Sequence, residues 1–252
     1  MKIATWNVNS LKVRLEHVQD WLKESQADVL CLQETKTEDV NFPLLALQEA
    51  GYNVVFCGQK TYNGVAIVSK HEMTDVQYGI PNFEDPQKRV IAATINNTRI
   101  VCVYIPNGES VESDKYQYKL AWLVALHDWL KVELQRFPKL ALLGDYNIAP
   151  DDSDVHDPVA WAGKVLCSEP ERAAFKGLQQ LGLRDAFRLF EQPEKSFSWW
   201  DYRMMGFRRN FGMRIDHILI SAAIQCSACG IDKAPRKLER PSDHTPVWAE
   251  II

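Results

Sequence analysis

The run "LALLGDYNIAP", residues 140–150, is apolar like a buried strand until it delivers Asp145, with Asn147 two positions further on. A carboxylate at the tip of such a strand is either a turn cap or a group held for chemistry, because burying it unpaired is costly. The same pattern recurs along the chain. "TWNVN" presents Asn7 and Asn9, "LCLQET" presents Gln33 and Glu34, and "PSDHTP" presents Asp243 and His244 just ahead of the last apolar run. Asp216 lies inside "RIDHILIS", where it is either an outward-facing strand residue or a buried functional carboxylate. The set supplies carboxylates, carboxamides and an imidazole, without paired thiolates. Hard oxygen donors of this kind suit Mg²⁺, with Mn²⁺ as a substitute, better than zinc. A cation held there would stabilise charge on a transferring phosphoryl group. Spacing alone does not establish convergence: Asp145 and Asp243 also read as turn or helix caps, and Glu34 as a solvated strand end.

The elements that would position these residues alternate along the chain. "KIATWNV" reads as a strand, and "LKVRLEHVQDWLKES" repeats Leu11, Leu15, Val18 and Leu22 at helical spacing, with Ser10 placed to cap it. "ADVLCLQET" is a second buried strand, followed by a short helical stretch over 43–50. "YNVVFCG", "NGVAIVSK", "RVIAATINN" and "TRIVCVYIPNG" then follow closely with turn residues between them, predicting antiparallel or mixed sheet. Asn96 and Asn97 tolerate positive φ and mark a hairpin. A long helix over 112–136 is stopped by Pro138, and another follows Pro170 and ends near Gly182. Many strands and few helices imply stacked sheets with helices outside.

Composition sets the remaining bounds. With 252 residues, 46% of them hydrophobic, the chain can bury one large core, and no Gly- or Pro-rich linker divides it, so a single domain over 1–252 is expected. A net charge of −4 gives no global attraction to a polyanion, so a nucleic-acid partner would need local basic surface or a bound cation. No run of about 18 apolar residues and no signal-like leader occurs, so a cytoplasmic protein without membrane contact is expected. The CxxC at 226–229 has no second pair to complete a zinc site, and the six cysteines read as reduced, mostly structural thiols.

The words "TWNVNSLKVR", "LCLQETK", "NGVAIVSK", "YIPNG", "GDYNIAP", "FSWWDYR", "RIDHILIS" and "PSDHTPVWAE" occur in this order between residues 5 and 250. In this the chain resembles the exonuclease III family of abasic-site DNA endonucleases. The resemblance implies a four-layered α/β sandwich, two mixed β-sheets packed face to face with helices outside, and magnesium-dependent phosphodiester cleavage. It implies Glu34 as principal metal ligand with Asn7 and Asn9 beside it. Some relatives carry Asp where Asn9 stands. Asp145 would position or deprotonate the attacking water, with Asn147 and Tyr104 donating to the scissile phosphate. His244 would contact that phosphate, oriented by Asp216, with Asp243 as an outer ligand of metal or water and Asn107 as a further site residue.

The substrate implied is double-stranded DNA with abasic sites or with blocked or recessed 3′ ends, handled by a monomer. Trp199, Met213 and Ile215 would line the pocket for a flipped-out sugar, which selects damage because a base-free nucleotide has little stacking to lose. The segment 197–216 also interleaves aromatics with Arg203, Arg208, Arg209 and Arg214, a composition suited to backbone contacts. Tyr62, Arg89, Lys115 and Lys119 are further candidates for phosphate contacts. Leu166, in "AGKVLCSEPER", stands where abasic endonucleases of the family commonly carry a small residue, which would favour 3′-end trimming over internal incision. Rival readings are a phosphodiesterase of the same fold acting on a non-DNA substrate and a non-catalytic nucleic-acid-binding relative. The "FSWWDYR" and "GMRID" words weigh against the first, and the full polar set against the second.

Overall fold

The computed structural model describes residues 1–252. In chain order its strands are β1 (Lys2–Asn7), β2 (Val29–Gln33), β3 (Asn53–Cys57), β4 (Val65–Ser69), β5 (Thr74–Tyr78), β6 (Val90–Ile95), β7 (Thr98–Tyr104), β8 (Leu140–Asp145), β9 (Leu183–Asp185), β10 (Trp199–Trp200), β11 (Gly212–Met213), β12 (Asp216–Ser221), β13 (Cys226–Ile231) and β14 (Val247–Ile251). The helices are α1 (Leu11–Ser25), α2 (Leu44–Glu49), α3 (Asp114–Arg136), α4 (Pro158–Trp161), α5 (Glu169–Gln180) and α6 (Gly206–Arg209). Two six-stranded sheets carry the fold, in the orders β13-β14-β1-β2-β4-β3 and β5-β6-β7-β8-β12-β9. Each contains one parallel pair, β1 with β2 and β7 with β8, and is otherwise antiparallel. A helix joins each parallel pair, α1 in one sheet and α3 in the other, as such a crossover requires.

Strand alternation divides the apolar residues into three layers. Ile3, Cys31, Ile67, Ile100, Leu143 and Ile218 meet between the sheets. Ala4, Trp6 and Leu30 face α1 and α2 on one outside, and Val101, Leu142 and Leu219 face α3 and α5 on the other. The expected sandwich, two mixed sheets with helices outside, is therefore present. β7 and β8 approach so closely that a Cβ on Gly144 would lie 1.9 Å from the Val103 carbonyl oxygen, which leaves glycine as the residue that fits ahead of Asp145.

Local expectations hold with one correction. The hairpin at Asn96 and Asn97 has φ of 47° and 60°, and α3 ends at Arg136 ahead of Pro138. Ser10, expected to cap α1, makes no side-chain cap bond and has φ 89°. The Ser10 and Leu11 amides instead donate to the carbonyls of Glu34 and Thr35, so the end of β2 caps the helix. All six cysteines are free thiols, and no helix is long and apolar enough to cross a membrane.

Behind β8 a fully buried network holds His217. Its Nε2–H donates to the Ile148 carbonyl at 2.8 Å, and its Nδ1 accepts from Arg214 at 3.0 Å. Burial, then the Arg214 charge, push the imidazole down to about 3. A folded value below the unfolded one means that stability is complete above the ordinary histidine range near 6.5 and is lost as pH falls from there towards 3, at about 1.4 kcal/mol per pH unit. Urea titrations at pH 7.5, 6 and 5 should give a shallower acid loss for His217→Gln than for the parent. Parallel slopes would remove His217 from the acid response.

Candidate active site

The face that is apolar between the sheets turns polar at one end. On β1 the inward series runs Ile3, Thr5, Asn7, and on β8 it runs Ala141, Leu143, Asp145, so alternation itself aims the two polar groups into the gap. Register then fixes their neighbours. Asn7 pairs with Gln33, Tyr104 with Asp145, and Asp145 with Asp216. Glu34 follows β2 directly with φ 51°, and Asn9 and Asn147 are also left-handed, at 43° and 50°. A left-handed non-glycine residue carries roughly 1–3 kcal/mol of backbone strain, and three of the chain's nineteen such residues border this site.

Asn7 bridges two acids: its Nδ2 donates to Glu34 Oε1 at 2.8 Å and to Asp145 Oδ2 at 2.9 Å. The Asn147 amide donates to Asp145 Oδ1 at 2.9 Å. His244 Nδ1–H donates to Asp216 at 2.9 Å, while Nε2 stands 3.7 Å from Asp145 Oδ2. Oxygens of Glu34 and Asp145 and a ring nitrogen of His244 thus all lie within 4.8 Å of one another. Asp216 is itself held by Ser198, whose hydroxyl donates to it at 2.6 Å and accepts from the Ile215 and Asp216 amides. The segment carrying His244 is fixed by pairing with the aromatic strand, where the Trp200 amide donates to Asp243 O and that of Thr245 to Ser198 O.

The electrostatics follow from this crowding. Burial pushes Asp145 up to about 7, with His244 and Asn7 opposing and the Asp216 and Glu34 charges adding to the rise. Burial alone would depress His244, but the carboxylates of Asp216 and Asp145 outweigh it and hold the imidazolium up to about 10. Tyr104 is driven well above its ordinary range by burial and then by Glu34 and Asp145. Glu34 Oε1 and Asp145 Oδ2, which share the one amide of Asn7, form a hard-oxygen pair that a divalent cation would satisfy, so the donor set fits such an ion.

The expected metal residues are not equivalent. Glu34 lies in the cluster, whereas Asn7 presents its nitrogen to the two acids and its oxygen accepts from the Asn9 amide. Asn9 donates to Asp243 Oδ1 at 2.9 Å, and its own oxygen accepts from Lys36 at 2.6 Å. The other Asp243 oxygen accepts from Trp199 Nε1 at 3.0 Å. Both Asp243 oxygens are therefore engaged, and although burial would raise this acid, His244 and those donors hold it low. Lys36 also pairs with Glu34 at 2.8 Å. Neither Lys36 nor Ser198 was singled out from sequence, although both lie inside the "LCLQETK" and "FSWWDYR" words.

The outer candidates divide. Tyr62, Arg89 and Lys115 line a cleft of about 710 Å³ that reaches Tyr104 and Asn107. Arg89 stacks over the Tyr104 ring at 4.7 Å and donates to its carbonyl. Arg208 and Arg209 are exposed, and Arg203 pairs with Asp201. Two expectations are corrected. Lys119 is fully buried and paired with Glu171, out of reach of a phosphate on the surface. Arg214 is buried between Asp154 and Asp185, where two carboxylates consume its fork. Met213 and Ile215 are closed into an apolar cluster with Leu166 and Cys167, against which the half-buried Trp199 packs.

Two apolar-to-polar sheets with acids, carboxamides and an imidazolium at one mouth define a class of phosphoryl-transfer hydrolases, and the comparisons agree. Residues 4–244 match the model of the endonuclease/exonuclease/phosphatase family. The chain belongs to that family. It is 36% identical to exodeoxyribonuclease III of Haemophilus influenzae, with 99% of each chain covered. Among solved structures it is similar to a 3′ phosphatase from Neisseria bound to a product DNA hairpin, with TM-score 0.98 and 48% identity over 100% of this chain and 99% of that one. It is also similar to an AP endonuclease from Archaeoglobus fulgidus, with TM-score 0.95 and 40% identity over 99% and 98%.

Proposed function

We propose that this chain, a DNA repair phosphodiesterase of the exonuclease III type, acts on duplex DNA chiefly at 3′ ends, removing 3′ phosphates and terminal nucleotides, with internal abasic incision the slower activity. The observation that carries the preference is Leu166. Its side chain shares a buried apolar cluster with Met213 and Ile215, where in this reading it takes space a base-free sugar would need, and its backbone is left-handed, with φ 74°. The likeness to a 3′ phosphatase supports action at 3′ ends.

In this reading Asp145 holds the attacking water through the oxygen nearest His244, and the Asn147 amide keeps the carboxylate aimed. The carboxamides of Asn147 and Asn107, the Tyr104 hydroxyl and the Nε2–H of His244 donate to the phosphoryl oxygens, where such donors act most strongly as charge accumulates. Asp216, fixed by Ser198, keeps His244 protonated and turned towards the phosphate. Glu34 and Asp145 would hold a divalent cation, Mg²⁺ with Mn²⁺ as a substitute, which supplies charge neutralisation at the leaving 3′ oxygen. Trp199 would border the terminal sugar, and Tyr62, Arg89, Lys115 and Arg208 would contact flanking backbone.

An end-labelled assay on three matched duplexes tests the preference, one with an internal abasic site, one with a 3′ phosphate and one with a recessed 3′ end. The parent should cleave the latter two faster. Leu166→Gly, which removes both the side chain and the backbone strain, should raise abasic incision about tenfold with little change at 3′ ends. Abasic incision already fastest in the parent, or unmoved by the substitution, would reverse the assignment.

A further inference from the structure

We infer that the buried ion pair of Lys119 and Glu171 is a positioning device for the carboxamides of Asn107 and Asn147, and that it ties their placement to the Leu166 loop. The inference rests on the roles proposed above for those carboxamides. Lys119, in the second turn of α3, has no exposed side-chain surface, and its ammonium has three protons to place. One goes to the Asn107 carbonyl at 3.1 Å, one to the Asn147 carbonyl at 2.7 Å, and one to Glu171 Oε1. These carbonyls belong to segments leaving two different strands, β7 and β8. Their side chains meet on the site side, where Asn107 Nδ2 donates to Asn147 Oδ1 at 3.0 Å. One buried charge therefore fixes from behind two loops whose side chains join in front.

Glu171 continues the connection. It is the third residue of α5, and Oε2 accepts from the amide and hydroxyl of Ser168, while Oε1 also accepts from the Leu166 amide at 3.0 Å. Tyr116, one helical turn before Lys119, meets the Ser168 hydroxyl at 2.6 Å. A buried pair of this kind is weak support for stability, because apolar replacements of similar volume are commonly as stable. What apolar side chains would not supply is a hold on the left-handed Asn147, whose backbone strain needs surrounding structure to maintain it.

The test replaces the pair together, Lys119→Met with Glu171→Gln, so that no lone charge stays buried and glutamine keeps the cap on Ser168. On a 3′-phosphate duplex, kcat should fall about thirtyfold to a hundredfold while KM and DNA affinity stay within about threefold, since small misplacement of a positioned group acts on the reacting geometry. In a background that lacks both carboxamides, Asn107→Ala with Asn147→Ala, the same replacement should lower kcat by no more than about threefold, because there is no carboxamide left to position. A role confined to stability would lower both backgrounds alike, and that outcome, or no fall in the parent background, overturns the inference. If Asn147→Ala alone leaves kcat unchanged, the function assigned to the carboxamide fails first and takes this inference with it. Should melting show that the pair variant does not fold, Lys119→Gln with Glu171→Gln, which strands no charge and keeps amide hydrogen bonds, gives the same comparison, with a fall of about fivefold expected in the parent background only.

Discussion

Asp145→Asn is expected to lower single-turnover cleavage by about a thousandfold or more while duplex binding stays within a few-fold. The substitution keeps volume and removes charge. If the new amide oxygen takes the place that accepts from the Asn147 amide, its nitrogen faces the Asn7 nitrogen and the His244 imidazolium, donor against donor. The water then loses its acceptor. Binding survives because the residues proposed to meet flanking backbone, Tyr62, Lys115 and Arg208, are untouched. The variant should melt close to the parent temperature, because relief of a buried carboxylate pushed up to about 7 offsets the donor-against-donor contact. Rate, anisotropy and melting measured on one preparation check all three, and a variant as fast as the parent would refute the role.

Removing divalent cation is expected to silence the enzyme altogether, and adding Mg²⁺ or Mn²⁺ back to restore it. Glu34 Oε1 and Asp145 Oδ2 share one neutral donor, the Asn147 amide holds the other Asp145 oxygen, and Lys36 covers only the outer oxygen of Glu34. Phosphate brought to this mouth adds negative charge to negative charge, and at an effective dielectric near 20 two unit charges about 4 Å apart repel by roughly 4 kcal/mol. His244 and Lys36 offset part of this, and a cation is needed for the rest. A chelated preparation that still cleaves labelled duplex at full rate would remove the metal from the account.

Much of this was legible in the sequence because the fold obeys local rules. Strand tips ending in Asn7, Glu34 and Asp145 could be read from apolar runs alone, and the stacked-sheet architecture from many strands and few helices. Convergence could not, since it depends on register: that Asp145 faces Asp216 and Tyr104 is a property of three strands separated by long stretches of chain. Long-range pairing also explains the misreadings. Lys119 and Arg214 look like surface cations in their own segments, and only Glu171, Asp154 and Asp185, brought from elsewhere, turn them inward. Ser10 fails as a cap for the same reason, since carbonyls at the end of β2 reach the helix first.

Manganese binding followed by electron paramagnetic resonance, on the parent and on Glu34→Gln, tests most directly whether these distant segments meet around one ion. A single bound Mn²⁺ per parent chain, lost or weakened at least about tenfold in the variant, is the expected result. Equal binding by both chains, or none by the parent, would contradict it.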